Sequence, residues 1–317
     1  MTIFRLRSQW GGGREWGGGR EHLGDETAAT ENDLSVRAGS ARTKPDRALS
    51  FDGVAGEYDR VRPGYPREIV DAACSIGRLR PGSPVLEIGC GTGKLTEELA
   101  ARGLRVDAVD PGVRMVEVAR RRIGDTPNVG FHIGRFEDAE LPAGGFAAVF
   151  SATAFHWVDP SAGWEKVARV LRPGGMFALL THVGFSPIDE QLQAVWTDVR
   201  PASLEWVARD RPTFFDGIEG RLGNVSEVWA WINQRDALAR EEAGDLFGDV
   251  RLTTTSTERE ERAERLIAVT RTTSMYLGLD ARDRKRLEDG LAAVVEEAGG
   301  SYPLTLYALL VTARTAT

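Results

Sequence analysis

Nine consecutive residues constrain this chain more than any others: Val85-Leu86-Glu87-Ile88-Gly89-Cys90-Gly91-Thr92-Gly93. An apolar strand runs into a turn with glycine at alternate positions. A helical stretch follows, and then a second strand, Val106-Asp107-Ala108-Val109-Asp110, ends in an acid. That succession makes a cradle for a nucleoside-bearing ligand, and the glycine spacing decides which one. A dinucleotide fingerprint needs glycine at its first, third and sixth positions, yet Lys94 stands sixth and Gly93 comes one place early. A phosphate-clamping loop would need glycine in place of Ile88 and Ser or Thr in place of Leu95. Both pyrophosphate patterns therefore fail.

What remains, acidic-x-Gly-x-Gly-x-Gly, resembles the first motif of class I S-adenosylmethionine-dependent methyltransferases. Under that resemblance Gly89 and Gly91 let the backbone pass close under the methionine part of the ligand. The helix opening near Gly93 offers its amides to the ligand carboxylate. Asp110, about 20 residues on, accepts both ribose hydroxyls. Glu87 holds the loop or the ligand's ammonium group.

Further segments between residues 51 and 182 match the same family. Phe51-Asp52-x-Val54-Ala55-x-x-Tyr58-Asp59-x-x-Arg62-Pro63-x-Tyr65-Pro66 looks like the opening helix of small-molecule methyltransferases of the type 11 and trans-aconitate methyltransferase groups. Asp110-Pro111-Gly112-x-x-Met115 resembles the segment whose Met packs on adenine. Phe155-His156-Trp157-Val158-Asp159 and Val170-Leu171-Arg172-Pro173-Gly174-Gly175 are similar to later motifs of the group. The resemblance implies that Tyr58 and Arg62 close over the cofactor, Arg62 near its carboxylate; alternatively Arg-Pro-x-Tyr-Pro only ends a helix and turns the chain. Adenine would meet the loop Gly134-Arg135-Phe136-Glu137-Asp138. Arg135 stands there in place of the family's short acid or polar residue, which leaves the Phe136 amide or Glu137 for the contact. Ser151 ends the fourth strand at the mouth of the sheet. His156 is a candidate general base or a packing element, and His182 sits on the same rim.

The remaining sequence sets the frame. From Leu49 onward helical and strand patterns alternate in the manner of a Rossmann-like, doubly wound α/β sheet, seven-stranded and mostly parallel. Strands are expected at 85–88, 105–109, 129–133, 146–151, 175–182, 249–255 and 304–312. Helices are expected around 51–59, 66–77, 94–102, 112–122 and 161–171, with only a brief helix or loop between 133 and 146. The 185–247 insert and the helices near 258–298 are expected to form a lid over the acceptor side. Leu287, Leu291, Val294 and Val295 there have the spacing of one packed helix face. Arg200, Arg209, Arg211 and Arg271 are read either as a site for an acidic substrate or as solvated charges. Residues 1–47, with Trp10-Gly11-Gly12-Gly13-Arg14-Glu15 nearly repeated at 16–21, are expected to be a disordered low-complexity tail before a domain spanning 48–317.

A net charge of -7 without a long Lys/Arg run gives no footprint for nucleic acid. No stretch approaches a membrane span, and no metal-ligand pattern is present. The two cysteines, Cys74 and Cys90, suit a reducing cytoplasm. The expected function is methyl transfer from S-adenosyl-L-methionine to a small-molecule acceptor, an acidic one included. The alternatives are a catalytically silent binding or scaffold protein on the same fold, and a nicotinamide-dependent dehydrogenase.

Overall fold

A computed structural model describes residues 47–200 and 208–316. The expected tail therefore lies outside the described residues except for Arg47. A 3-10 turn, Arg47–Val54, leads into α1 (Ala55–Val61) and α2 (Arg67–Gly77). The α/β repeat follows: β1 (Pro84–Ile88), α3 (Lys94–Ala101), β2 (Arg105–Asp110), α4 (Val113–Ile123) and β3 (Val129–Ile133). A connection without a helix leads to β4 (Phe146–Ala152), then α5 (Pro160–Val170) and β5 (Leu171–Phe185). Four helices come next, α6 (Asp189–Val199), α7 (Arg211–Glu219), α8 (Val225–Asn233) and α9 (Glu242–Leu246), and then β6 (Phe247–Glu261). The chain closes with α10 (Ala263–Thr270), α11 (Ser274–Leu277), α12 (Ala281–Glu297) and β7 (Tyr302–Thr315).

The strands form one seven-stranded sheet in the order β3-β2-β1-β4-β5-β7-β6. The first five are parallel, while β7 runs antiparallel to both β5 and β6. The path leaves β1 toward β2 and β3, then restarts on its other side with β4. That switch opens a crevice at the C-terminal ends of β1 and β4, where an open α/β sheet binds ligands.

Alternate residues of each strand feed two cores, because side chains alternate faces along a strand. Val85, Phe150, Ala178 and Leu180 pack with Leu95 and Leu99 on one face. Leu86, Val149, Phe177 and Leu179 pack with Val167 and Trp229 on the other. With both faces covered, the parallel strands must read as continuous apolar runs. Caps fix where several helices begin: the Asp159 carboxylate accepts from Ser161 N at 2.9 Å, and Asp280 accepts from Asp283 N at 2.8 Å.

Two expectations about the insert change. Helices α7 and α8 are not part of a lid; Phe214, Ile218, Val225 and Val228 join the core on the α5 face of the sheet. Residues 258–261 are not helical either, since they complete β6. A third core belongs to α6, α11 and α12, where Trp196, Tyr276, Leu287 and Leu291 meet. Burying each large apolar side chain stabilises by roughly 1.5–3 kcal/mol, enough to make this a packed unit over the crevice. Val294, expected in the buried stripe, is only half-buried, while Leu287, Leu291 and Val295 are fully inside.

Candidate active site

The loop from β1 to α3 shapes the crevice. Gly89 and Gly93 have φ of 72° and 82°, a region that side chains other than glycine rarely adopt. A Cβ on Gly89 would lie 2.3 Å from the Ala154 Cβ, and one on Gly93 would lie 3.0 Å from the Ala119 Cβ. Glycine is thus required at both places by the protein's own packing, whatever the ligand. Gly91 donates its amide to Asp110 Oδ2 at 2.9 Å, and Gly112 donates to Oδ1 at 2.8 Å. Burial raises the Asp110 pKa while these two amides oppose the rise. Each carboxylate oxygen keeps a second lone pair for a hydroxyl donor.

Asp110 faces a cavity of about 220 Å³ at the strand tips. Met115 and Phe136 line one side of it, Phe51 and Trp157 another, and Thr273 and Ser274 the lid side. Phe51 packs edge-on against Tyr58 at 5.9 Å and against Trp157 at 5.7 Å, so the N-terminal turn forms an aromatic wall. Asp52 anchors that turn, its Oδ1 accepting from Arg114 N at 2.6 Å and Met115 N at 3.2 Å at the start of α4. Glu137 lines the cavity while its Oε1 accepts from Asp159 N at 2.9 Å and from Arg135 at 3.1 Å.

A smaller inner cavity of about 90 Å³ adjoins the first, sharing Tyr58, Arg62, Gly89 and Thr153 with it. Glu87 lies in its wall, fully buried, with Oε2 accepting from Thr96 Oγ1 at 2.7 Å. Desolvation, opposed by the Thr96 hydrogen bond, pushes the Glu87 carboxyl up to about 8. A buried carboxyl in that state is poised to ionise when a cation arrives. Arg62 stacks over Tyr58 with Cζ 5.4 Å from the ring centroid, and its Nε and Nη2 donate to Thr272 Oγ1 and O at 2.9 and 3.1 Å.

The expected site residues therefore converge, with one exception. Tyr58, Arg62, Gly89, Gly91, Asp110, Met115, Phe136, Glu137 and His156 line the first cavity, and Glu87 lines the second. Ser151 lines neither. It points to the opposite face of β4 and donates Oγ to Ile88 O at 2.8 Å, which makes it a tie between strands rather than a ligand contact. Its neighbours Ala152 and Thr153 face the cavities instead.

His156 borders the cavity, but burial and the nearby Arg235 lower its pKa to about 3. Its Nδ1 is buried without a hydrogen-bond partner among the described residues. A neutral imidazole that holds a proton so weakly suits a wall better than a general base. His182 is similar: burial first, then Arg62 and Arg259, lower its pKa to about 4. It stacks on Tyr65 at 4.7 Å, and Tyr65 Oη shares a hydrogen bond with Thr153 Oγ1 at 2.7 Å. Thr153 adopts φ 53°, a strained conformation that costs on the order of 1–2 kcal/mol and turns the chain away from β4 into the site.

Sequence reasoning missed Thr153, Thr273 and Ser274 as cavity residues. Nothing local marks Thr153 as left-handed, and Thr273 reaches the site only because its segment folds back over α1. The four candidate substrate arginines do not line either cavity. Arg271 pairs with Glu288 at 2.7 Å, Arg209 stacks 3.7 Å from the Trp231 centroid, and Arg211 reaches Tyr307 Oη at 3.3 Å. Arg200 packs its Nη1 near Gly278.

Comparison with known proteins agrees with this geometry. Residues 85–175 match the family described as Methyltransferase domain. An uncharacterised methyltransferase of Mycobacterium bovis is 42% identical over 138 residues, covering 44% of this chain and 54% of that protein. A malonyl-[acyl-carrier protein] O-methyltransferase of Serratia marcescens is 32% identical over 155 residues, covering 48% of this chain and 58% of its own. The chain thus spans about half the length of the curated relatives it matches. Among solved structures, one from Anaeromyxobacter dehalogenans, provisionally named a type II methyltransferase, superposes with a TM-score of 0.51 at 22% identity. It covers 80% of this chain and 98% of that one, which shows a shared fold. Residues 85–175 are thus similar to a methyltransferase domain, and the glycine loop and the acid at the tip of β2 sit in a fold shared with the Anaeromyxobacter dehalogenans structure.

Proposed function

We propose that the protein transfers a methyl group from S-adenosyl-L-methionine to a small-molecule acceptor. One observation carries the reading: Asp110 sits at the tip of β2, next to β1, with its carboxylate oriented by the Gly91 and Gly112 amides, beside a cavity that Met115 and Phe136 flank with apolar surface. A carboxylate so held suits a ribose diol, and the apolar flanks suit a purine. The buried Glu87 carboxyl suits an ammonium group, and Arg62 suits a carboxylate. When bound, this donor would supply a sulfonium-activated methyl group, taken in line by an acceptor lone pair as the carbon–sulfur bond breaks and S-adenosylhomocysteine leaves.

The chain's own task is then to position and to exclude water. Asp110 and Glu87 fix the two polar ends of the donor, while Phe51, Tyr58 and Trp157 close over it. Thr153 and His156 border the cavity at the mouth of the sheet. The low basicity of His156 means that an acceptor entering already deprotonated fits this site better than one needing a strong base.

Several expectations belong to the same proposal. The domain extends over 48–317, preceded by the 1–47 tail. The partner is a small metabolite rather than nucleic acid, supported by a cavity of small-molecule size and a net charge of -7. A cytoplasmic setting is supported by the free thiols of Cys74 and Cys90. Among the described residues, no helix is long and apolar enough to cross a membrane. The test is calorimetric binding of S-adenosylhomocysteine, followed by a metabolite screen scored by its release. Binding without turnover on any acceptor would favour the silent binding protein. A nicotinamide cofactor binding in its place would overturn the reading.

A further inference from the structure

The three strands at one side of the sheet outrun the rest. β4 ends where Ala152 pairs with Leu180, yet β5 continues to Phe185, opposite Thr305 of β7. β6 keeps pace beside β7 to Glu261, opposite Tyr302. The ribbon of β5, β7 and β6 therefore projects about 17 Å past the tips of the parallel strands. Between this projection and the lid helices lies a cavity of about 320 Å³, within the range of small-molecule sites.

Its lining is unlike that of the other two. Leu192 and Trp196 of α6, Leu266 and Val269 of α10, and Leu304 and Leu306 of β7 give it apolar walls. Three arginines line it as well: Arg62, Arg259 and Arg265. Arg259 is matched by Glu261 at 2.6 Å. Arg62, bonded here to the neutral Thr272, is the partner proposed above for the donor's carboxylate, which leaves Arg265 as the cation open to an acceptor. The Arg265 side chain makes no hydrogen bond or ion pair among the described residues. Against these stands Asp189, whose carboxylate already accepts from Ser186 N at 2.8 Å and whose pKa burial raises. A guanidinium group does not shed its proton, so the unpaired Arg265 beside an apolar chamber is completed by an anion.

The cavity also touches the proposed donor site. Arg62 and Thr273 belong to its lining and to that of the strand-tip cavity, and His182 belongs to it and to the inner cavity. We propose that this chamber is the acceptor subsite and that it takes an amphiphilic monoanion, a small acid whose hydrocarbon body fills the leucine-lined walls and whose carboxylate pairs with Arg265. This rests on the donor assignment above. A carboxylate matches the planar guanidinium fork with two parallel hydrogen bonds, which a neutral head group of the same size does not.

The experiment titrates the full chain, saturated with S-adenosylhomocysteine, with octanoate, 1-octanol and octylamine in a calorimeter. Octanoate is expected to bind at least tenfold more tightly than either of the others. Arg265→Gln should weaken octanoate about tenfold and leave S-adenosylhomocysteine affinity within about twofold. Val269→Trp, which fills the chamber, should abolish octanoate binding and likewise spare S-adenosylhomocysteine, whose binding also shows that each variant is folded. Octylamine or octanol binding as well as octanoate, or octanoate binding indifferent to both substitutions, overturns the proposal. If S-adenosylhomocysteine binds and octanoate does not, the acceptor assignment alone falls. Failure of the unaltered chain to bind S-adenosylhomocysteine overturns the donor assignment and this one with it.

Discussion

Arg62 reaches 210 positions along the chain to Thr272, donating Nε to its hydroxyl at 2.9 Å and Nη2 to its carbonyl at 3.1 Å. This pair latches the turn before α11 onto the end of α1, and so holds Thr273 and Ser274 against the strand-tip cavity. Thr272→Val keeps the shape but removes the hydroxyl acceptor from a fully buried residue. The expected loss is about 1–3 kcal/mol of stability, read from denaturant midpoints, with faster amide exchange across residues 263–277. Arg62→Lys should not restore the latch, because a single ammonium lacks the two-pronged geometry.

Asp110→Asn replaces one of the two acceptor oxygens with a donor. One of the Gly91 and Gly112 amides then meets an NH₂ group, and the ribose site is lost with it. S-adenosylhomocysteine affinity should fall by about 10- to 100-fold, or about 1.4–2.8 kcal/mol, measured by calorimetry.

Glu87 gives the protein a pH signature. Its folded carboxyl lies near 8, above the ordinary 4.5, so the folded state holds a proton that the unfolded chain gives up. Stability from this residue is full below the unfolded pKa and is lost as pH rises toward the folded one, on the order of 5 kcal/mol in all. Glu87→Gln should flatten that decline in denaturant midpoints. Donor binding should show the opposite slope, tightening as pH rises toward about 8, because the ammonium group favours ionised Glu87. Proton release seen by calorimetry in buffers of different ionisation enthalpy checks this.

Gly89→Ala adds a methyl group that collides with Ala154 at a backbone angle unfavourable to alanine. A destabilisation of about 1–3 kcal/mol is expected, together with weaker donor binding as Ala154 shifts. Gly53→Ala, where the added Cβ meets nothing within 4 Å, is the control and should be near neutral.

His156→Gln tests the histidine as a base. With a pKa of about 3 the imidazole is already neutral at working pH, so the substitution should leave the shape of the kcat/KM pH profile unchanged. Disappearance of an inflection near neutrality would show that His156 titrates in turnover.

The parallel half of the sheet was legible because its information is local. β1, β2, β3 and β4 lie within a residue of their expected bounds, since apolar runs, glycine turns and caps punctuate them. The three longer strands were cut short by their polar and glycine-rich ends. Ser256 to Glu261 lie beyond the expected strand and partly in an expected helix, and pairing along the whole of β7 makes them strand. The Asp110 and Glu87 positions could be read from spacing, because the fold fixes an acid at a strand tip. Ser151 was misplaced for the simplest reason: alternation sends it and Ala152 to opposite faces, and the strand's register must be known to choose.

By itself the sequence determined the donor side: the order of strands and helices, the glycine turn, and the acid at the end of β2. These follow from backbone rules that act over a few residues. Only the tertiary structure brought together the residues of the proposed acceptor side. Arg62, His182, Arg265 and Thr273 are scattered along the chain and carry no common motif, and they meet because the projecting ribbon and the packed α6, α11 and α12 unit line one cavity together. Hydrophobic burial is non-directional, so it brings such residues together without leaving a pattern in the linear order.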